Sequence, residues 1–491
     1  MLLRKIITSV KGLEDPEYPL LGPNLTGLYW FGLWQCGNKF RDGLFNFLHV
    51  CSLLFVVTEF IELYYMRNDL MKVLFNISVT ALSLVSISKT VFFVLYLPYW
   101  RELVKNISKE ENAALKSEDP VTKELMRNYT VYSRGITGSF WAVILLTNIV
   151  TITAPFLKYA TVPIYREMIR NGTEPYPQIL SSWFPFDKTK IPGYFVAVAV
   201  HIIMTTQGAG VVAVYDANAV AIMSFLKGQM MILRYKSQRI FGASNEIPRG
   251  EVLANIKECH RLHNFFLEQY STFNSIISPV MFIYVLVCSI MICCSVVQLN
   301  MGEVTMSQKL WVIEFTTALA VQLFLYCWHS NEIAYESQGV DQGVYSSNWW
   351  RADVQVRRQV LLLAGKLSPS FILKAGPFTN FSMATFIDVS IRNCSKATDL
   401  IVINPLTAYY SARVSKNEMG LGRIPPRWPR VEWLFSHTVE NIMENSQAYR
   451  FPHDVFLRRL KQVIIKCFKL KTHLTPKSQW CVPGHDLGVH E

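Results

Sequence analysis

Behind the apolar run Leu310 to Trp328 comes "HSNEIAYES", which sets His329, Glu332 and Glu336 at i, i+3 and i+7. On a helix these three share one face. An imidazole flanked by two carboxylates can hold a divalent metal or relay a proton. It also suits a helix leaving lipid for water, where the emerging side chains must be polar and pack against neighbours. No motif of metal-ligand strength and no nucleophile with a paired base accompanies the cluster. The residues therefore predict packing in a bundle at the membrane edge, with no metal, no cofactor and no catalytic residue.

The elements that must carry this cluster are apolar helices. The 491 residues are 51% hydrophobic and 17% charged, against about 25% charged in an ordinary soluble protein. Six runs are long enough to cross a hydrocarbon core that needs roughly 20 residues. They span residues 45–65, 73–99, 138–157, 193–226, 273–299 and 310–330, and a weaker seventh starts near Phe378. This pattern predicts an all-α, polytopic seven-transmembrane-helix protein whose domain occupies residues 45–390. Residues 1–44 form an N-terminal segment, and 391–491 a basic C-terminal extension.

Lys and Arg fix the orientation. The N-terminal segment and the second, fourth and sixth loops hold 24 of them, against 8 in the other three loops. The N-terminus is thus expected in the cytoplasm, which inverts the topology of a G-protein-coupled receptor. Residues 1–18 lack the apolar centre of a secretory signal. The net charge of +12 reads as this asymmetry, so the lipid bilayer is the partner and nucleic acid is not. None of the ten cysteines falls in an external loop, so no disulfide framework is expected.

The fourth run is long enough to project below the bilayer. "GEVLANIKECHRLHNFFLEQY" leads straight into the fifth, and both predict a helical anchor in the cytoplasm. After Trp350, "RADVQVRRQVLLLAGKL" sets Val354, Val360, Leu361 and Leu363 on the stripe of an amphipathic helix. Of the N-x-S/T triplets, only the one at Asn171 lies on the expected outer face, as a glycosylation candidate.

Polar residues at bilayer depth mark cavities or partners. Glu59 and Glu62 are placed near the outer interface, and Lys89 deeper, able to snorkel or pair within the bundle. The fourth span carries His201, Met204, Thr205 and Gln207 near Gly208 and Gly210; the third offers Asn148, and the second Leu82, Ser83 and Ser86. Together they can line an apolar pocket with a few polar groups, the usual makeup of a small-molecule site. Ordinary hydrogen bonding between helices remains an alternative for each.

A resemblance joins these features. "WHSNEI", Glu336-Ser337, "GVYSSNWW" from Gly343, Leu361 to Leu363 and "AGPFTNFSMATF" from Ala375 closely resemble the C-terminal region of insect odorant receptors. That family implies a ligand-gated cation channel in the plasma membrane of olfactory neuron dendrites. Its heterotetramer joins a tuning subunit, which binds a small volatile odorant, to a shared co-receptor. The compact fourth loop is similar to that of a tuning subunit. The resemblance makes His329, Glu332, Glu336, Tyr345 and Trp349 part of the subunit anchor, and puts the odorant pocket at the polar residues above. A seven-helix metabotropic chemoreceptor or a gustatory-receptor-like channel is the alternative. One departure stands out. Asp388, Arg392, Lys396 and Asp399 interrupt the expected pore helix, and the basic residues beyond read as the product of an altered reading frame or splice.

Overall fold

The computed structural model describes residues 15–242, 248–300, 306–377 and 379–392. Its helices are α1 (Gly22–Trp30), α2 (Lys39–Tyr65), α3 (Leu70–Leu95), α4 (Leu97–Lys116), α5 (Pro120–Thr161), α6 (Pro163–Arg170), α7 (Gly193–Gln238), α8 (Arg249–Asn300), α9 (Met306–Ser337), α10 (Val340–Tyr345), α11 (Val354–Leu367) and α12 (Met383–Ile387). Between α11 and α12 a small hairpin pairs β1 (Lys374–Ala375) antiparallel with β2 (Thr379–Asn380). Among the described residues, six helices are long and apolar enough to cross a membrane: α2, α3, α5, α7, α8 and α9. The chain is an all-α polytopic membrane protein. The expected seventh span is described only as α12 and the π-turn Asp388–Arg392; Phe378, Lys396, Asp399 and the remaining extension lie outside the described residues.

Helix starts follow from local chemistry. The side chains of Asn38, Asp69 and Asp353 accept from the backbone N–H of Arg41, Lys72 and Val356, capping α2, α3 and α11. Such a cap satisfies one of the donors a helix leaves open. Pro98 and Pro163 stand in the first turns of α4 and α6, where a missing N–H costs nothing. Proline therefore ends one direction and begins the next.

Two spans continue beyond any bilayer. With 46 and 52 residues, α7 and α8 reach about 70 and 78 Å at roughly 1.5 Å per residue. The long fourth run and the segment before the fifth are thus single helices with their spans. From Gly210 to Leu226 every residue of α7 is buried, the mark of a helix surrounded by others. It packs against α1, α2, α3, α5, α8, α9 and α10. The hairpin is tied to α8, because Gly376 N–H donates to Ser278 Oγ at 2.8 Å and Lys374 N–H to Asn274 Oδ1 at 2.8 Å.

Two expectations about faces change. The buried stripe of α11 is Val356, Val360, Leu363 and Leu367, whereas Val354 and Leu361 are exposed. Two arginines interrupt the sequence between the true stripe positions, and the i, i+4, i+7, i+11 spacing is what selects them. Glu59 is fully buried beneath Ser83 and does not reach the interface, while Glu62 meets Lys188 at 2.7 Å.

Candidate functional site: an apolar cavity between the helices

A cavity of about 560 Å³ opens between α2, α3, α5, α7 and α9. Its position follows from small residues on α7. At Gly210 an added Cβ would stand 1.8 Å from the Phe31 ring, so only glycine lets that ring lie against the helix. At Gly208 the nearest atom is Ser86 Oγ at 3.5 Å; that hydroxyl donates to the Gly208 carbonyl at 3.2 Å. One glycine closes the packing and the other leaves the wall open.

Seven of the eight candidate ligand-binding residues line this one cavity: Leu82, Ser83, Ser86, Asn148, Met204, Thr205 and Gln207. His201 does not. It is fully buried one turn away, its Nε2 paired with Ser182 Oγ at 2.7 Å and its ring packed on Phe55 and Phe184 at 5.8 and 5.6 Å. There it holds down the segment after α6. Lys188 donates to the Ser182 carbonyl at 2.7 Å, and Trp183 N–H to the Thr58 carbonyl at 3.2 Å. Leu180 of the same segment lines the cavity, so this segment caps one end. Asn171 is exposed beside Gly172, which turns the chain with φ of 73°.

Other lining residues carry signals that spacing alone does not reveal. Thr147 precedes Asn148 and donates to Glu314 Oε1 at 2.6 Å. Trp311 and Phe315, stacked at 5.1 Å, form the α9 wall. Gln322 lines the cavity and donates to Asp216 Oδ2, joining the wall to a buried charge. Asp216 also receives Lys89 Nζ at 2.5 Å and Tyr326 OH at 2.6 Å. Thus Lys89 pairs within the bundle rather than snorkelling.

At the other end, Tyr132 and Leu325 line the cavity and also hold His329. The His329 ring bonds the Leu325 carbonyl at 2.7 Å and the Tyr132 hydroxyl at 3.4 Å, while Glu332 pairs with Lys227. His329 and Glu332 therefore turn to separate partners, and Glu336 is half-buried. Among the described residues no group of His, Cys, Asp and Glu could hold a metal ion. Trp349 is half-buried and Tyr345 is 52% exposed. Beneath them α10 presses on α7, where a Cβ at Gly343 would stand 2.2 Å from Ser237 Oγ.

In this lower bundle Glu111 is buried among Leu20 N–H, Thr130 and Arg134. Burial pushes its carboxyl up to about 7, against the lowering effect of these three partners. It ties the N-terminal segment to α4 and α5.

Comparison with known proteins agrees with this architecture. The family model described as 7tm Odorant receptor matches residues 69–391. Odorant receptor Or2 of Anopheles gambiae is 21% identical over 369 residues, covering 73% of this chain and 91% of that one. Odorant receptor 82a of Drosophila melanogaster is 24% identical over 372 residues, covering 72% and 90%. The solved structure of the insect olfactory receptor OR5 from Machilis hrabei in complex with eugenol superposes with a TM-score of 0.62 at 14% identity. It covers 79% of this chain and 100% of that one.

Proposed function

We propose, for a chain that belongs to the 7tm odorant receptor family, that it is the odorant-binding subunit of an odorant-gated, non-selective cation channel in the plasma membrane of olfactory neurons. The observation that carries this reading is the cavity of about 560 Å³ between the helices, mostly apolar and edged by a few polar side chains. A small apolar volatile molecule seated there leaves water for contact with apolar side chains of five helices. Leu82, Ser83, Ser86, Asn148, Met204, Thr205 and Gln207 contact the ligand. The bundle around His329, Glu332, Glu336, Tyr345 and Trp349 packs against neighbouring subunits, with a co-receptor completing the channel.

Two measurements test this. Cells expressing the chain with a co-receptor should give cation currents on exposure to some members of a broad volatile panel, and silent cells with normal surface levels count against it. A tag at Met1 should be labelled only after permeabilisation. Labelling in intact cells would reverse the topology and favour a metabotropic receptor.

A further inference from the structure

The cavity is not closed on every side, and its exposed wall is confined to two helices. Of the residues that line it, those exposed are Val131, Tyr132, Gly135, Ser139 and Val143 on α5 and Val321 on α9. Val131, Val143 and Val321 are 63, 44 and 44% exposed. On α5, Tyr132, Gly135, Ser139 and Val143 follow at i, i+3, i+7 and i+11. They form one edge of the helix, about 16 Å long at roughly 1.5 Å per residue. Side chains leave that edge open. A Cβ added at Gly135 would meet nothing within 4 Å beyond its own helix backbone, and the Ser139 hydroxyl turns back to the Gly135 carbonyl at 2.8 Å. The capped end differs. There Thr147, Asn148 and Thr151 of α5 and Trp311 and Phe315 of α9 line the cavity, and none of them is exposed. Leu180 and Ser182 of the covering segment are buried, and bonds of Ser182, Trp183 and Lys188 hold that segment down.

Both helices are among those long and apolar enough to cross a membrane, and an exposed edge on such a helix meets lipid. We propose that a side portal between α5 and α9 admits the ligand from the hydrocarbon of the bilayer while the cap stays shut. An apolar volatile concentrates in lipid for the same reason that it enters the cavity, so the bilayer delivers it to the rim already out of water. The rim offers it aliphatic side chains, a glycine and a serine whose hydrogen is used within its own helix. Tyr132, its hydroxyl turned to His329, closes the edge at the end away from the cap. Width therefore controls passage, and Gly135, Ser139 and Val321 set it. The inference rests on the odorant-binding reading above and adds the path that the ligand takes.

Kinetics separate entry from affinity. A bulky side chain on the path raises the barrier in both directions and leaves the end states alone, so association and dissociation slow by one factor and the equilibrium holds. Cells expressing the full chain with a co-receptor, given rapid pulses of volatiles found active in the broad panel, report both rates as current onset and washout. Gly135→Trp and Ser139→Trp, neither among the seven proposed contacts, should slow onset and washout several-fold and equally, with steady-state potency kept. Val321→Ala, which widens the opposite rim, should hasten both. Three variants on two helices keep the test decisive if one of them misfolds. Unchanged rates at normal surface level, or a potency loss carried by washout alone, would overturn the portal and leave the odorant reading standing. Loss of co-purification with the co-receptor would do the same, because it would show a neighbouring subunit seated on this face. Silence of the parent towards the entire panel at normal surface level would overturn both.

Discussion

Lys89 of α3 and Asp216 of α7 meet at 2.5 Å with both side chains wholly withdrawn from solvent. Tyr326 and Gln322 complete the carboxylate's partners, and the rings of Tyr284 and Tyr215 lie 5.0 and 5.6 Å from the ammonium. A charge at this depth is tolerated only when paired, because losing one partner leaves the other uncompensated in a medium of low dielectric. Lys89→Met or Asp216→Leu alone is therefore expected to cost about 3–5 kcal/mol. The double variant removes both charges and should recover most of that loss. Thermal unfolding of the detergent-solubilised receptor reads this directly; single variants as stable as the parent would contradict it.

Glu111 supplies a pH dependence on the side of the anchor. Its carboxyl is raised from 4.5 to about 7 by burial. The folded state then holds a proton that the unfolded state has released. The stability linked to that proton is fully present below about 4.5 and is lost as pH rises through about 7. The loss is on the order of 3 kcal/mol, because each pH unit between the two values is worth about 1.36 kcal/mol. Purified parent protein should show a falling Tm across this window. Glu111→Gln, which cannot ionise, should show a flatter profile; an unchanged slope would assign the dependence to other groups.

Two glycines two positions apart should behave differently. A methyl at Gly210 meets the Phe31 ring at 1.8 Å, whereas at Gly208 its nearest neighbour is Ser86 Oγ at 3.5 Å, an ordinary contact. Gly210→Ala is expected to destabilise the receptor by about 1–3 kcal/mol, the usual cost of overpacking. Gly208→Ala should fold normally and narrow the cavity, selectively weakening larger ligands by about tenfold or more. Surface expression and dose-response curves for a size series separate the two, and equal expression with equal ligand shifts would refute the contrast.

Much of this arrangement is legible in the sequence because the apolar runs and the 3.6-residue period act locally. Met204, Thr205 and Gly208 share a helical face by spacing alone, and that face does border the cavity. Spacing says nothing of height. His201 belongs to the same face, but the segment carrying Ser182 descends over it, and only the fold of a loop decides that. Asp216 has a signal of its own, a carboxylate inside "VVAVYDANAV". The rule that buried charges seek partners links it to Lys89 across 127 positions. That Asn148 Oδ1 is buried without a hydrogen-bond partner is legible only in three dimensions, since it depends on which neighbours fail to reach it.

His201 and Met204, one turn apart on α7, provide the last contrast, between a residue that holds the cap and one that touches the cavity. His201 bonds Ser182 and packs on Phe55 and Phe184; through Ser182 it steadies the segment that brings Leu180 to the cavity wall. His201→Leu removes that hydrogen bond and leaves Ser182 Oγ buried without a partner, a cost of about 1–3 kcal/mol. A loosened cap admits water whatever the ligand, so potency should fall for all active compounds in parallel. Met204 borders the cavity with a flexible thioether, and Ser52 Oγ approaches its sulfur at 3.5 Å. Met204→Val shortens the side chain and reshapes one wall, so some ligands gain while others lose and the rank order changes. Dose-response curves for at least several active volatiles, normalised to surface level, distinguish a parallel shift from a reordering. Reordering by His201→Leu together with a parallel shift by Met204→Val would reverse these assignments.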